Sequence, residues 1–272
     1  MTIDEKFRNL QKSLKNMDRV IVAFSGGVDS TFLLKAASVS GLSGILAVTG
    51  VSESLPEEEC TFAQDIASSL HVNHTILHTE EMQNSNYTSN PPDRCYYCKK
   101  ELFGKLKELA KKEKYSYVLD GTNADDAHDW RPGKRAAGEE GVISPLLEAG
   151  LTKDEIRKLS KDLGLHTWNK PATPCLASRF PYGQHISSRA LGRVHKAETF
   201  IKKFGPKELR VRSENGTARI EIMPEDFSKL TDNNARDEII NYLKSLGFNH
   251  ITLDLQGFRS GSSNEALPYK SN

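Results

Sequence analysis

The chain has 272 residues, of which 37 are lysine or arginine and 36 are aspartate or glutamate, and its formal net charge is +1 at pH 7. A chain of this length can bury a substantial core, either as one large domain or as two smaller ones. Because positive and negative charges nearly cancel, the composition gives no support for binding to nucleic acid or to an anionic membrane surface.

The first segment along the chain, MTIDEKFRNLQKSLKNMDR, is polar and charged, and it lacks the apolar core that a signal peptide needs. No later apolar run approaches the length that spans a bilayer. We therefore expect a cytoplasmic protein with no membrane partner. In that compartment the four cysteines are expected to be thiols, metal ligands or catalysts rather than structural disulfides.

Short apolar runs then alternate with helix-forming segments. Strands are predicted at Val20–Phe24, Gly44–Gly50, His74–His78 and within YSYVLD, and helices at Thr31–Ser38, Ser54–Leu70 and Cys98–Glu113. The first of these runs is continuously apolar, which is typical of a strand buried on both faces. Strand–helix alternation of this kind predicts an α/β fold with a parallel doubly wound sheet.

Around Pro171–Gly183 the composition changes to a loop that contains proline, cysteine and arginine. After this loop the predicted order is helix, two strands, helix and strand, at Ser188–Phe204, Glu208–Glu214, Ala218–Pro224, Ala235–Leu246 and His250–Gln256. This order is typical of a smaller α+β unit. We therefore expect two domains, residues 1–183 and residues 184–272.

The turn SGGVDS joins the first predicted strand directly to a helix. Gly26 and Gly27 let the backbone approach a ligand closely, and backbone N–H groups at a helix start favour an anion. Ser25 and Ser30 add hydroxyl donors, so a phosphate group is the expected ligand. The turn lacks the Gly-Lys-[Ser/Thr] ending of a Walker loop. The alternative is an ordinary turn in which Asp29 or Ser30 caps the helix.

SGGVDS resembles the pyrophosphate loop of the ATP pyrophosphatase (PP-loop) superfamily, which includes GMP synthetase, NAD synthetase and tRNA-thiolating enzymes. LDGTNADD resembles the segment that lines the same nucleotide site, although these residues also suit plain turn chemistry. The resemblance implies cleavage of ATP between its α and β phosphates and adenylation of a substrate oxygen. It assigns the following residues to the nucleotide: Ser25, Gly26, Gly27, Asp29, Ser30, Val48, Gly121, Thr122, Asn123, Asp125 and Arg131.

Five further segments, RCYYCK, DWRPG, SPLLEAGLTKDEIRKLSKDLGL, PCLASRFPYG and LRVR, together resemble the LarE family over nearly the whole chain. That family consists of ATP-dependent sulfur transferases that make the nickel-pincer nucleotide cofactor of lactate racemase. The resemblance implies that a pyridinium biscarboxylic acid mononucleotide is adenylated at a carboxylate. A sulfur nucleophile then displaces AMP and leaves a thiocarboxylic acid.

Cys175 is the expected sulfur-bearing catalytic residue, because it lies in PCLASRFPYG four residues before Arg179. Its alternative is a buried structural thiol. Cys95 and Cys98 form a C-x-x-C pair, which suggests a redox pair, half of a zinc site or part of an iron–sulfur site. It also suits simple packing at a helix start.

Members of the LarE family differ in their sulfur donor. Some have a lone cysteine that gives up its own sulfur and becomes dehydroalanine, and others have three cysteines at these places. The chain matches the second pattern, so the resemblance implies a 4Fe-4S cluster bound by Cys95, Cys98 and Cys175. Donation of sulfur from Cys175 itself remains the other possibility.

Five residues are expected to bind the substrate: Ser178, Arg179, Glu198, Arg210 and Arg212. The two last-named arginines alternate along a predicted strand, so both are expected to point to one face and to clamp a phosphate. The alternative is that both arginines are simply exposed to solvent, as arginines on a strand often are. Asp29 is assigned a catalytic role in holding Mg²⁺ on the phosphates, or it caps the helix.

The expected partners are a small-molecule nucleotide substrate, ATP with Mg²⁺, and further copies of the chain in a homo-oligomer. Nucleic acid is not expected. Two other functions stay open at this point: a tRNA-thiolating enzyme of the same superfamily, and a non-catalytic nucleotide sensor. The balance of charge and the lack of a basic extension speak against the first.

Overall fold

The computed structural model describes residues 1–127, 132–259 and 261–262. The chain divides into two compact units. The N-terminal unit comprises Met1–Tyr87 and Asp93–Thr173, and the C-terminal unit joins Thr88–Pro92 to the chain from Pro174 onward. No helix in the described ranges has both the length and the apolar composition needed to cross a membrane.

The N-terminal unit alternates strands and helices. Its strands are β1 (Arg19–Ala23), β2 (Gly44–Val51), β3 (Asn73–His78) and β4 (Tyr117–Leu119). Its helices are α1 (Ile3–Lys15), α2 (Val28–Ser38), α3 (Glu57–Ser69), α4 (Ser85–Thr88, which ends in the C-terminal unit), α5 (Arg94–Glu113), α6 (Gly133–Glu140), α7 (Pro145–Glu148) and α8 (Lys153–Asp162). The four strands pair in parallel in the order β3-β2-β1-β4.

Strand β1 is buried on both faces, as its apolar sequence predicts. Val20 and Val22 pack in a core with residues of α1, α2, α3 and α8, whereas Ile21 packs with residues of α5 and α6. All three side chains have 0% exposure. The helices therefore cover both faces of the sheet, and the predicted α/β fold with a parallel doubly wound sheet is confirmed.

Two helices that the sequence patterns did not predict begin with capping boxes. In α1 the Thr2 side chain accepts a hydrogen bond from the backbone N–H of Glu5, and the Glu5 carboxylate accepts one from the N–H of Thr2. Thr152 and Glu155 make the same reciprocal pair at α8. Each box satisfies backbone N–H groups that would otherwise lack partners, so these short polar helices have defined starts.

The C-terminal unit contains α9 (Ser188–Lys202), β5 (Leu209–Glu214), β6 (Thr217–Ile222), α10 (Phe227–Thr231), α11 (Asn233–Ser245) and β7 (His250–Leu253). Strand β6 is central, antiparallel to β5 and parallel to β7. The predicted smaller α+β arrangement is confirmed, with the helix and strand bounds shifted by a few residues. The predicted boundary at residue 183 remains a prediction.

Candidate functional site

The SGGVDS turn follows the carboxyl end of β1 and opens α2. The Ser25 and Ser30 hydroxyl oxygens lie 3.2 Å apart, and the Ser30 hydroxyl donates to the Gly27 carbonyl at 3.3 Å. Gly26 has φ +66°, and a Cβ there would lie 3.2 Å from the Cα of Ala63 in α3. Gly26 is therefore required both for its backbone conformation and for its close approach to α3.

Helix α2 starts without a side-chain cap among the described residues. Its N-cap is Gly27, which has no side chain to accept a hydrogen bond. The alternative expectation, in which Asp29 or Ser30 caps the helix, is therefore not what the structure has. The N–H groups of the first turn remain available to an anion, and the helix dipole favours one there.

The GTN loop (Gly121, Thr122 and Asn123) reaches the SGGVDS turn. A Cβ at Gly121 would lie 3.0 Å from the backbone nitrogen of Ser30, so only glycine permits this approach without displacing backbone. The Asn123 side-chain amide donates to the Asp29 carboxylate at 3.4 Å. The two sequence segments that resemble one nucleotide site thus lie against each other.

Asp120 and Asp126 fix the shape of the GTN loop. The Thr122 hydroxyl and the Ser144 hydroxyl each donate to the Asp120 carboxylate at 2.7 Å. The backbone N–H of Asn123 donates to Asp126 at 3.1 Å. Because Asp120 and Asp126 are both buried, they act as fixed acceptors that hold the loop in this conformation.

Lys153 is a site residue that reasoning from the sequence missed. It is the first residue of α8, and its ammonium group donates to the Asp29 carboxylate at 2.5 Å. Its backbone N–H donates to Asp125 at 2.8 Å. The available signal was the capping box LTKDE, which places a lysine in the first helical turn within a segment already noted for its family resemblance.

All the predicted nucleotide contacts remain predictions, and two of them lie apart from the contacts described so far. Val48 lies in β2 with 1% exposure, and its carbonyl accepts from the Phe24 N–H at 2.8 Å, so it supports the strand end that precedes the SGGVDS turn. Arg131, together with the rest of the DWRPG motif up to that residue, lies outside the described residues.

In the C-terminal unit, Cys175 begins a tight turn that Arg179 holds in place. The Arg179 Nη1 donates to the carbonyls of Pro174 and Cys175 at 2.7 and 3.2 Å, and to the Ser178 hydroxyl at 3.0 Å. The Cys175 carbonyl also accepts from the Ser178 N–H and hydroxyl, at 3.0 and 2.8 Å. The backbone beside the Cys175 thiol is therefore heavily constrained, while its side chain is half-buried.

Arg179 is paired with Glu198 of α9. Both side chains are buried, and Arg179 Nε and Nη2 donate to the two carboxylate oxygens at 2.9 and 3.0 Å. The Val211 N–H adds a third hydrogen bond to Glu198, at 2.9 Å. A bidentate pair with these extra partners can compensate the desolvation of two buried charges. The predicted contact of Arg179 and Glu198 with the substrate stays a prediction.

Arg210 and Arg212 are not simply solvated. Arg212 is buried, pairs with Glu221 and donates to the Ser178 carbonyl at 2.8 Å. Arg210 is half-buried, and its guanidinium lies 5.1 Å from the centre of the Phe258 ring. Burial, reinforced by the positive charge of Arg179, lowers the pKa of Arg210. An anion near Arg210 would relieve this unfavourable electrostatic environment.

The C-x-x-C pair lies in the first turns of α5, which begins four residues earlier than predicted. Cys95 is exposed and Cys98 is half-buried, and both are present as thiols rather than in a disulfide, as is Cys175. At a spacing of three, their side chains share one helical face. Within the described ranges, no group of three or more Cys, His, Asp or Glu side chains is arranged to bind a metal ion. The three-thiol ligand set therefore stays a prediction.

The comparisons with known proteins agree with the geometry of the N-terminal unit. No family model matches the chain. It is 44% identical over 266 residues to an uncharacterized protein of Synechocystis sp., across 97% of this chain and 99% of that protein. It is 39% identical over 271 residues to the pyridinium-3,5-bisthiocarboxylic acid mononucleotide synthase of Lactiplantibacillus plantarum, across 98% of this chain and 96% of that protein.

A more distant relative is one subunit of the glutamine-hydrolyzing GMP synthase of Thermoplasma volcanium. It is 28% identical over 204 residues, across 69% of this chain and 61% of that protein. The similarity to this GMP synthase covers less of the chain than the similarity to the mononucleotide synthase.

Proposed function

This chain belongs to the LarE family, and on that premise we propose that it is an ATP-dependent sulfur transferase in nickel-pincer nucleotide synthesis. The proposed substrate is a pyridinium biscarboxylic acid mononucleotide. The enzyme adenylates a substrate carboxylate and replaces one of its oxygens with sulfur. The observation that carries the proposal is the assembly of the SGGVDS turn, the GTN loop and Lys153 around Asp29.

The proposed ATP site uses the uncapped start of α2. The N–H groups of its first turn and the Ser25 and Ser30 hydroxyls would bind the β and γ phosphates. Lys153 would supply the positive charge that stabilises pyrophosphate as it departs. Asp29 holds the Lys153 ammonium in place, and its carboxylate is also the group that would bind Mg²⁺ on the phosphates.

Adenylation makes the chemistry feasible. A carboxylate is a poor electrophile, because its charge repels a nucleophile and oxide is a bad leaving group. Attack of a carboxylate oxygen on the α phosphorus of ATP breaks the bond to the β phosphate, releases pyrophosphate and gives an acyl adenylate. A sulfur nucleophile can then add to the carbonyl carbon and expel AMP, with the carbon–oxygen bond broken and a carbon–sulfur bond formed.

Cys175 supplies or binds that sulfur in the proposal. If its own thiolate attacks, a thioester to the protein forms, and loss of the Cys175 α proton with cleavage of the Cβ–S bond releases the thiocarboxylate and leaves dehydroalanine. The alternative donor is a 4Fe-4S cluster that Cys95, Cys98 and Cys175 would bind, since three thiolates are a suitable donor set for it. When bound, that cluster would supply a sulfide at its open iron.

Arg210 is the proposed contact to the phosphate of the substrate. It is the half-buried arginine beside the Cys175 turn whose environment lowers its pKa, so binding of an anion is favourable there. Arg212 and Arg179 already use their guanidinium groups to hold the turn.

An ATP–pyrophosphate exchange assay tests the proposal. We expect exchange of labelled pyrophosphate into ATP only when the pyridinium biscarboxylic acid mononucleotide is present. A folded protein that binds ATP but shows no exchange with this acid would contradict the proposal. Exchange that depends instead on tRNA would identify a tRNA-thiolating enzyme.

A further inference from the structure

One face of the C-terminal sheet carries a row of charged side chains. Arg210 lies opposite Glu221 across β5 and β6, and Arg212 lies opposite Arg219. Side chains two apart on a strand share a face, so these four residues line the same side of the sheet. The other side carries apolar residues such as Val211 and Ile220, which are buried. Glu221 is the most deeply buried of the charged set, with 0% exposure.

Glu221 fixes the orientation of Arg212. Its Oε2 accepts from Arg212 Nε at 2.9 Å and lies 2.9 Å from Arg212 Nη2. A guanidinium group held along one edge by a carboxylate is locked in its plane. The remaining nitrogen, Nη1, points to the Ser178 carbonyl at 2.8 Å. The carboxylate therefore acts on the Cys175 turn through Arg212.

The turn is held at both ends by buried Arg–Glu pairs. Arg179, paired with Glu198, donates to the carbonyls of Pro174 and Cys175 at its start. Arg212 donates to the Ser178 carbonyl at its end. Burying an ion pair costs desolvation free energy unless each charge also makes its full set of hydrogen bonds. Here both guanidinium groups make such hydrogen bonds to the same short segment.

We propose that Glu221 is a positioning residue for sulfur transfer: through Arg212 it holds the turn that carries Cys175. The role in transfer rests on the proposed function, whereas the effect on the turn does not. Glu221 has no exposed surface through which to contact substrate, and a carboxylate there would repel a substrate phosphate. Its contribution is to keep the thiol of Cys175 in one place relative to the acyl carbon.

Hydrogen exchange of the full-length protein tests the proposal without any substrate. In Glu221→Gln, Arg212 loses its charged anchor, and we expect amides in the 174–181 segment, including Ser178 N–H, to exchange at least about tenfold faster, as expected for one lost hydrogen bond to a charged group. Asp226→Asn is the matched control. Asp226 is a buried carboxylate of the same unit whose partners are Lys229 at 2.7 Å and the Lys207 N–H at 2.8 Å, neither of which belongs to the Cys175 turn, so exchange in residues 174–181 should not change.

Activity provides the second measurement. We expect Glu221→Gln to slow sulfur transfer by at least about tenfold while ATP–pyrophosphate exchange keeps the wild-type rate, because adenylation does not need the Cys175 turn. Arg212→Lys serves if Glu221→Gln does not fold, since a lysine ammonium can pair with Glu221 but cannot also grip the Ser178 carbonyl.

Two results would overturn the proposal. The first is unchanged protection of residues 174–181 in both Glu221→Gln and Arg212→Lys. The second is faster exchange throughout the C-terminal unit, which would make Glu221 a general stabilising residue. If wild-type protein shows neither adenylation nor transfer, the proposed function fails, but the exchange data still decide whether Glu221 holds the turn.

Discussion

At the scale of single residues, the two glycines of the SGGVDS turn have different tasks. Gly26 adopts φ +66° and lies against α3, so any side chain there disturbs the fold. At Gly27 an added Cβ would meet only the Ser25 hydroxyl oxygen, at 3.3 Å. A substitution at Gly27 therefore tests ligand binding without disturbing the fold, whereas a substitution at Gly26 would change both.

We predict that Gly27→Val abolishes ATP binding while the protein stays folded. The new side chain would occupy the space that a phosphate must enter at the start of α2, and the backbone conformation at this position suits any residue. Isothermal titration with ATP measures the affinity, and circular dichroism checks the fold. Unchanged ATP affinity in the folded variant would contradict the assignment of this turn to phosphate.

Lys153 gives a second prediction at this scale. We expect Lys153→Met to weaken ATP binding by tenfold or more, because a charge-assisted contact of about 1.5–3 kcal/mol is lost and Asp29 is left without its cation. Lys158→Met, at an exposed position of the same helix, is the control and should bind ATP like the wild type. Equal affinities of the two variants would remove Lys153 from the site.

At the scale of helices and strands, the sequence predicts an element correctly where it contains an apolar run. The strand at Val20–Phe24 is predicted because a strand whose two faces are both covered by helices is continuously apolar. Helix α8 was missed, since only Ile156, Leu159 and Ser160 of it are buried and the rest is polar. Its start was nevertheless encoded in the Thr152–Glu155 capping box.

The candidate site follows the same division. The SGGVDS turn is predicted from its glycines and serines between a strand and a helix, and the GTN loop from its resemblance to the segment that lines the same nucleotide site. The bond between Lys153 and Asp29 is not predicted, since it joins positions 124 apart in the sequence. Likewise the pairing of Arg212 with Glu221 depends on a diagonal contact across β5 and β6, which only the register of the sheet determines.

Helix α5 provides a prediction about an element. Because both Cys95 and Cys98 lie in its first turns, on one face, they can bind the same cluster. We expect Cys95→Ser purified without oxygen to lose iron and sulfide, and Cys60→Ser, a half-buried cysteine of α3, to retain both. Iron and sulfide analysis measures this.

The mass of the intact protein after turnover is the measurement that would contradict the cluster. If Cys175 gives up its own sulfur, spent wild-type protein loses the mass of H₂S at residue 175, and Cys95→Ser still completes one round. Dehydroalanine at that position would therefore contradict a cluster-bound sulfide as the donor.

At the scale of the whole molecule, the first helix is tied to the last helix of the N-terminal unit. The Lys6 ammonium lies 2.7 Å from the Glu155 carboxylate, and both side chains are largely buried. Burial alone would raise the pKa of Glu155, but hydrogen bonds from Lys6 and Thr152 outweigh it and lower that pKa. The contact between α1 and α8 is thus stabilised by an ionised carboxylate.

We predict that Lys6→Met lowers the free energy of unfolding by about 1 kcal/mol at pH 7. Because the folded pKa of Glu155 lies below its unfolded value, this stabilisation is present above the unfolded pKa and disappears as the pH falls through the folded one. In urea unfolding at several pH values, the free energies of unfolding of the wild type and Lys6→Met should become equal in acid. Lys12→Met, at an exposed position of α1, should show no such pH-dependent difference.

The chain enters the C-terminal unit twice, first at Thr88–Pro92 and again from Pro174. The first of these segments, Thr88–Pro92, stabilises a later part of the unit. The buried Asn90 donates through its side-chain amide to the Pro181 carbonyl at 2.7 Å, and its own carbonyl accepts from the Gly183 N–H at 2.8 Å. The segment that follows the Cys175 turn is thus held by residues made much earlier.

This interrupted order has a consequence for biosynthesis. As the chain emerges from a ribosome, Thr88–Pro92 appears long before the residues it will hold, and the second part of the N-terminal unit, Asp93–Thr173, is translated in between. Contacts of such wide sequence separation form late and slowly. The loop that carries Cys175 is therefore expected to be among the last parts of the protein to form, after the SGGVDS turn and the GTN loop have been translated.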